Sequence, residues 1–114
     1  MLIQDFKKTA IVYGDDRISY AELIEHIKDY SVLLDVKKGE RAAIFFENRP
    51  EWIYAFYAGW NVGATNVLID MMSTKGEVEF ILRDCQPQVI VTSNRNREMI
   101  ESILPDLPYK PRVI

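Results

Sequence analysis

Two carboxylates are the residues of this sequence best placed for acid–base or metal chemistry. Glu47 and Asp70 each follow an apolar run that is typical of a buried strand. Ligands of an open parallel sheet bind outside the carboxyl ends of its strands, so both side chains are expected at that edge. A carboxylate pair there could transfer a proton or bind a metal ion. Turn formation is the simpler interpretation, because polar residues at strand ends usually have that role.

A second candidate is an anion site at the start of a predicted helix. The triplet Thr92-Ser93-Asn94 precedes this helix, where free backbone N–H groups can bind a phosphate. Helix capping alone also explains the triplet. Arg95 and Arg97 follow at the positive end of the helix dipole, which is unfavourable for a cation. These arginines are predicted either to meet an anion or a carboxylate, or simply to lie on the solvated surface.

The remaining reactive residues stand alone. His26 is the only histidine and falls on the polar face of a predicted helix, without a second metal ligand. Cys85 is the only cysteine, has no CxxC partner, and is interpreted as a thiol at a helix end. The aromatic residues Trp52, Phe56 and Trp60 share one helical stripe. They could line a pocket, although packing in a core or an interface is favoured.

The composition is that of an ordinary α/β domain. The chain has 114 residues, 48% of them hydrophobic, and a net charge of -3. This suits a single domain over residues 1–114, and the scattered basic residues argue against nucleic-acid binding. Residues 1–10 lack the apolar run of a leader, and no segment approaches the roughly 18 apolar residues of a membrane span. The lone cysteine favours a reducing, cytoplasmic location.

Local signals at the start of the chain predict a hairpin followed by a helix. Residues 10–13 and 17–19 are short strand-like runs that flank a turn at Gly14. Ser19 and Glu22 have capping-box spacing, which predicts the start of an amphipathic helix.

The rest of the chain alternates between strand and helix signals. Asn48 is a predicted N-cap, Pro50 suits the first helical turn, and Gly63 suits the position after a helix. Gly59 lies inside that helix, which indicates a close approach of another backbone segment.

Repeated βαβ units predict a parallel sheet after the hairpin and first helix. Its apolar strands should be covered on both faces, and a last strand that begins at the chain end predicts a piece of a longer protein. Surface left open by the missing part predicts dimers or larger species. The predicted strands are 41–46, 65–69, 88–91 and 112–114, the predicted helices are 49–62, 75–84 and 94–104, and the predicted core includes Ile44, Trp52, Phe56, Val67, Ile81 and Ile90.

The order of these pieces resembles the amino-terminal part of the adenylate-forming (AMP-binding) acyl-CoA synthetase family. The resemblance spans roughly residues 8–93, and the stretch 48–52 is most similar to the long-chain fatty acid branch. Leu68 and Asn66 depart from it, since many relatives have Pro and an apolar residue there. The matching residues are Gly14, Ser19, Tyr20, Glu22, Leu23, Gly39, Glu40, Arg41, Asn48, Trp52, Gly63, Ala64, Glu77, Ile81 and Leu82.

The resemblance implies the first subdomain of the large domain of an acid–CoA ligase. Such an enzyme joins a carboxylate to ATP as an acyl-adenylate and then forms the thioester with CoA, with Mg²⁺ offsetting phosphate charge. The family's phosphate loop, ribose-binding Asp and catalytic Lys have no counterpart in this sequence. No catalytic, cofactor or metal site is therefore expected here. ATP, Mg²⁺, CoA and a fatty acid would belong to the whole enzyme, whose remaining large domain is the expected partner.

Two other interpretations stay open at this stage. The chain could be a stand-alone binding or assembly module that kept the fold and lost catalysis, or an unrelated flavodoxin-like ligand binder. A reading frame that continues into a Gly-rich loop ending in Pro-Lys-Gly favours the ligase, and a stop codon favours the module. A flavin or nucleotide that copurifies favours the third interpretation.

Overall fold

The computed structural model describes residues 5–114, so the first four residues of the stretch considered as a leader lie outside the described residues. The strands and helices alternate as the sequence predicts. They are β1 (Thr9–Tyr13), β2 (Asp16–Ser19), α1 (Tyr20–Leu34), β3 (Arg41–Phe45), α2 (Pro50–Asn61), β4 (Thr65–Ile69), α3 (Lys75–Cys85), β5 (Val89–Thr92), α4 (Asn94–Ile103) and β6 (Arg112–Val113), with a short 3₁₀ turn at Leu104–Asp106.

The predicted hairpin and capping box are confirmed. Strands β1 and β2 pair antiparallel and form a two-stranded sheet of their own. Gly14 has φ of 59° in the turn, a conformation that glycine adopts at little cost. The Ser19 hydroxyl accepts a hydrogen bond from the Glu22 N–H at 3.2 Å, and the Glu22 carboxylate accepts one from the Ser19 N–H at 3.4 Å. Helix α1 therefore begins where the sequence predicts.

The predicted parallel sheet is also confirmed, with strand order β4-β3-β5-β6. Strand β3 pairs with β4 and β5, and Phe45 lies opposite both Ile69 and Thr92. Successive β3 residues point to opposite faces of the sheet, so Ile44 packs with α1 and α2 while Phe45 packs with α3 and α4. Both faces are covered, which explains the uninterrupted apolar runs of these strands.

The core differs from the prediction in the orientation of α2. Ile44 and Ile90 are fully buried, but Trp52 and Phe56 are only partly buried and Trp60 is 64% exposed. The buried face of α2 instead consists of Tyr54, Ala55, Ala58 and Gly59. Small side chains bring α2 close to the sheet and to α1, which turns the larger aromatic residues to the flank of the helix. Val67 and Ile81 are likewise partly buried at the margin of the second core cluster.

Several predicted boundaries shift by one residue. Strand β3 ends at Phe45 rather than at residue 46, and β5 extends to Thr92, whose hydroxyl donates to the Phe45 carbonyl at 2.9 Å. The prediction that Asn48 is the N-cap of α2 is wrong. Arg49 occupies the N-cap position of α2 without a capping side-chain hydrogen bond, and Pro50 occupies the first turn as predicted.

Gly59 is closely approached as predicted, but by the side chain of Asn66 rather than by another backbone segment. A Cβ added to Gly59 would lie 2.1 Å from Asn66 Oδ1. The Asn66 amide donates to the Phe56 carbonyl at 3.0 Å, which ties β4 to α2, while Asn66 Oδ1 is buried without a hydrogen-bond partner. Gly63 follows α2 with φ of 77°, as its predicted position after the helix requires.

Candidate functional site

Two candidate sites from the sequence meet at the carboxyl edge of the sheet. Glu47 follows β3, and Ser93 is the N-cap of α4 directly after β5. The Ser93 hydroxyl donates to Glu47 Oε2 at 2.6 Å, and the Asn96 amide donates to the same oxygen at 3.4 Å. The Ser93 hydroxyl also accepts from the Asn96 N–H at 3.3 Å. Ser93 therefore caps α4, which is the simpler of the two interpretations of the triplet, and the carboxylate of Glu47 lies where an external anion was considered.

The surroundings of Glu47 favour its ionised form. Partial desolvation raises the pKa of Glu47, but the Ser93 hydroxyl, its own backbone N–H, Arg49 and Arg95 together lower that pKa below its ordinary value. A general base or acid at neutral pH needs a raised pKa in a carboxyl group, so this environment is the opposite of a proton-transfer site. Glu47 is suited to holding the β3 and β5 strand ends together.

Replacing Glu47 by glutamine should therefore lower the free energy of unfolding at neutral pH. The charged hydrogen bond with Ser93 is partly exposed, so we expect a loss of about 1 kcal/mol. Because the folded-state pKa is depressed, this stabilisation is complete above the unfolded-state pKa of about 4.3 and is lost as pH falls through the lower folded-state pKa. Urea unfolding at pH 7 and at pH 3 measures both effects.

The matched control is Glu98→Gln, which removes the charge of an exposed glutamate on α4, the helix that Ser93 caps. The control should unfold like the unmodified chain at both pH values. Equal losses for Glu47→Gln at pH 7 and pH 3 would contradict a role for the ionised carboxylate.

Asp70 does not form a hydrogen bond with Glu47 but has a local structural role. Its Oδ1 accepts from the Met72 N–H at 2.8 Å, and its backbone carbonyl accepts from the Ser73 N–H at 3.0 Å. These contacts form the turn between β4 and α3, as the simpler interpretation of Asp70 predicted. Within residues 5–114, no group of three or more His, Cys, Asp or Glu side chains could hold a metal ion. The two carboxylates therefore act separately: Glu47 accepts a hydrogen bond from Ser93, and Asp70 accepts one within its own turn.

The arginines of this edge have different surroundings. Arg97 pairs with Glu101 one helical turn later at 2.8 Å, which is the carboxylate partner considered for it. Arg95 lies beside Glu47 on a cleft of about 340 Å³ between α1 and the strand ends. Arg49 lines the same cleft and pairs with Glu51 at 3.3 Å. The two cationic side chains of the cleft are thus balanced by Glu47 and Glu51, and no surplus of positive charge is available for a polyphosphate.

The other reactive residues are dispersed. His26 is exposed on α1 and stacks on Tyr54 with ring centroids 4.4 Å apart. Cys85 ends α3 as a partly buried free thiol, and its carbonyl accepts from the Arg41 guanidinium at 2.8 Å. Trp52 stacks on Phe56 with centroids 5.4 Å apart, outside the buried face of α2. None of these side chains joins the Glu47 corner.

Sequence reasoning missed two polar contacts. Asn96 was not singled out, because its contact with Glu47 crosses 49 residues of sequence. Thr74 and Glu77 form a second capping box at the start of α3, with hydrogen bonds of 2.9 and 3.2 Å. That box could have been found, since Thr74 and Glu77 have the same spacing as the recognised pair Ser19 and Glu22.

The corner does not fit Mg²⁺-ATP. The α4 start offers backbone N–H groups, but a carboxylate lies against the Ser93 hydroxyl and would repel a phosphate. A bound phosphate group also needs converging cations, whereas Arg49 and Arg97 are already paired with carboxylates. No step of nucleotide chemistry can be assigned to residues of this edge.

An open parallel sheet that is covered by helices on both faces defines the chain as an α/β domain, and the polar groups at the carboxyl edge of the sheet are hydrogen-bonded to one another. No helix among residues 5–114 has the length and apolar character required to cross a membrane. Comparison of the sequence with known protein families assigns the chain to a particular family. The chain belongs to the AMP-binding enzyme family, whose model matches residues 4–114.

Individual relatives agree with this assignment. The chain is 33% identical to the 2-succinylbenzoate–CoA ligase of Bacillus velezensis over 75% of its length and 18% of that protein. It is 29% identical to the crotonobetaine/carnitine–CoA ligase of Proteus mirabilis over 88% of its length and 21% of that protein. The structure of the anthranilate CoA ligase AuaEII with anthranoyl-AMP superimposes with a TM-score of 0.87 and 26% identity, over 95% of this chain and 22% of that one. The chain thus spans about a fifth of each relative.

Proposed function

We propose that this chain is the amino-terminal scaffold segment of an ATP-dependent acid–CoA ligase and is inactive by itself. The observation that carries the proposal is the family match over residues 4–114, combined with a chain that spans only 18% to 22% of its relatives. The whole protein would form an acyl-adenylate and then an acyl-CoA. ATP, Mg²⁺ and CoA would bind to residues outside this chain, and the remainder of the large domain would be its main partner.

The internal role of Glu47 supports a scaffold rather than a reduced active site. The Glu47–Ser93 contact fixes the ends of β3 and β5 relative to α4, and the buried Thr92 hydroxyl adds a second link to Phe45. A rigid sheet edge of this kind would position loops from the rest of the ligase. The free thiol of Cys85 is compatible with a cytoplasmic location, which is part of the proposal.

The carboxylate that we propose for the whole enzyme is a fatty acid. The support is the likeness of residues 48–52 to the long-chain branch. The relatives named above act, by their names, on 2-succinylbenzoate, crotonobetaine or carnitine, and anthranilate, so an aromatic or a short polar acid is the direct rival.

Acid-dependent exchange of pyrophosphate into ATP tests the proposal. The 114-residue chain and a version extended through the downstream reading frame would be assayed with octanoate, palmitate, 2-succinylbenzoate, anthranilate and carnitine. We expect exchange only by the extended protein and the fastest exchange with a fatty acid. A preference for an aromatic acid would contradict the substrate, and a frame that stops after residue 114 would contradict the scaffold role.

A further inference from the structure

Helices α1 and α3 end at the amino edge of the sheet, opposite the edge that carries Glu47. Each ends in a residue with left-handed backbone geometry, since φ is 43° at Asp35 and 45° at Gln86. Among residues 5–114, these are the only two positions other than glycine with a positive φ. Glycine is the usual residue in this conformation at a helix end, because a Cβ is strained there. Both ends therefore require another source of stabilisation.

An arginine from a distant strand contacts each of these helix ends. The Arg41 guanidinium, at the start of β3, donates to the Cys85 carbonyl at 2.8 Å. The Arg112 guanidinium, at the start of β6, donates to the Asp35 carbonyl at 2.9 Å and also to the Leu34 carbonyl. The last carbonyls of a helix have no partner within the helix, and a cation beside them interacts favourably with the helix dipole. The same solution is thus used at both left-handed helix ends.

Arg112 connects elements that are far apart in the sequence. Its two carbonyl partners precede it by 77 and 78 residues. The last turn of α1 contains no basic residue that could take the same role. The backbone N–H of Arg112 donates to the Gln88 carbonyl at 3.0 Å, and the Ile114 N–H donates to the Ile90 carbonyl at the same distance. One residue therefore joins β6 to β5 through its backbone and to α1 through its side chain.

We propose that Arg112 is a latch that makes the docking of β6 on β5 and the closure of the last turn of α1 a single conformational step. When β6 is docked, the guanidinium binds both carbonyls and offsets the strain at Asp35. When β6 is released, the carbonyls lose this partner while the strain remains, so the last turn of α1 opens. This proposal is independent of the ligase assignment, because it depends only on contacts within the described residues.

Amide hydrogen exchange of the 114-residue chain, resolved for single residues by NMR, tests the effect of the latch on α1. Arg112→Gln removes the cation and shortens the side chain. The Leu34 amide, in the last turn of α1, should then exchange roughly tenfold faster, which corresponds to the loss of one charged hydrogen bond. The amide of Ile44, in the central strand β3, is the reference for global unfolding.

Two variants serve as controls for this experiment. Arg112→Lys keeps the charge and should change Leu34 exchange less than Arg112→Gln does. Lys110→Gln removes a cation from a nearby exposed position and should leave Leu34 exchange unchanged. If Leu34 exchanged equally fast in the Arg112→Gln variant and in the unmodified chain, the proposal would be overturned.

Asp35→Gly tests the coupling in the reverse direction. Glycine removes the strain at the end of α1, and coupling between two sites is reciprocal, so the Ile114 amide on β6 should exchange roughly threefold more slowly relative to Ile44. This slowing should disappear in the Arg112→Gln/Asp35→Gly double variant, because α1 and β6 are then no longer linked. An Ile114 amide that is unaffected by Asp35→Gly, or slowing that persists in the double variant, would overturn the latch.

Discussion

Replacing Phe45 by alanine is expected to lower the free energy of unfolding by about 3–5 kcal/mol. The side chain of Phe45 is fully buried between the sheet and helices α3 and α4, and its backbone pairs with both Ile69 and Thr92. Truncation leaves a cavity at the centre of the second core cluster, where the surrounding strands cannot easily move inward. Because small domains are stable by only about 5–15 kcal/mol, this variant could lose cooperative unfolding altogether.

Urea unfolding monitored by circular dichroism measures this effect against a phenylalanine control. Phe80 is 70% exposed on α3, so Phe80→Ala should change stability by no more than about 0.5 kcal/mol. Phe56→Ala should fall between the two, because Phe56 is partly buried beside Trp52. If Phe45→Ala and Phe80→Ala unfolded at the same urea concentration, the core assignment would be wrong.

Replacing Gly59 by alanine is the second large expected effect. The new Cβ would lie 2.1 Å from Asn66 Oδ1, so α2 or the amide that bonds the Phe56 carbonyl must move. Overpacking of this kind costs about 1–3 kcal/mol, even though alanine favours a helix by about 1 kcal/mol over glycine. Thermal unfolding should show a lower melting temperature.

Two further variants separate the collision from a general effect of alanine. Gly76→Ala introduces the same change in α3, where nothing lies within 4 Å of the added Cβ, and should be neutral or stabilising. Asn66→Ala removes the colliding atom and its unpartnered buried oxygen, so the Gly59→Ala/Asn66→Ala double variant should be more stable than the sum of the single effects predicts. Strict additivity would show that Asn66 is not the obstacle.

The regular elements could be predicted from the sequence because their signals are local. The Ser19–Glu22 capping box, Pro50 in the first turn of α2 and Gly63 after it fix helix ends through contacts within a few residues. Alternating strand and helix signals are enough to predict a parallel sheet. Helix orientation is a different property, since it depends on what the helix packs against.

Helix α2 shows this limit. Its large aromatic residues suggested that Trp52, Phe56 and Trp60 face the core, but the small residues Ala55, Ala58 and Gly59 do so. The deciding neighbours are Asn66 on β4 and the aromatic side chains of α1, including Tyr30, which lies edge-on to Tyr54. Hydrophobicity alone favours burial of the larger side chains of α2. The close approach of α2 to β4 leaves room only for small side chains at that contact, so this preference is reversed.

The candidate site shows the same limit over a longer distance. Glu47 and Ser93 were each identified at a strand end, one as a possible acid or base and the other as a possible phosphate binder. Their separation of 46 residues in the sequence hides the fact that they are hydrogen-bonded to each other. Local motifs correctly placed both residues at the carboxyl edge of the sheet. Only the folded structure shows that Ser93 donates its hydroxyl hydrogen to Glu47, so that these two groups stabilise each other.

Calorimetric titration of the purified chain with Mg²⁺-ATP tests the scaffold role most directly. One exposed helix start contributes roughly 1 kcal/mol to anion binding, whereas a dissociation constant near 0.1 mM requires about 5–6 kcal/mol. Glu47 opposes binding further, because its carboxylate already accepts the Ser93 hydroxyl. We predict no saturable heat up to millimolar nucleotide. Saturable micromolar binding by the 114-residue chain would contradict the account and reveal a nucleotide site within this domain.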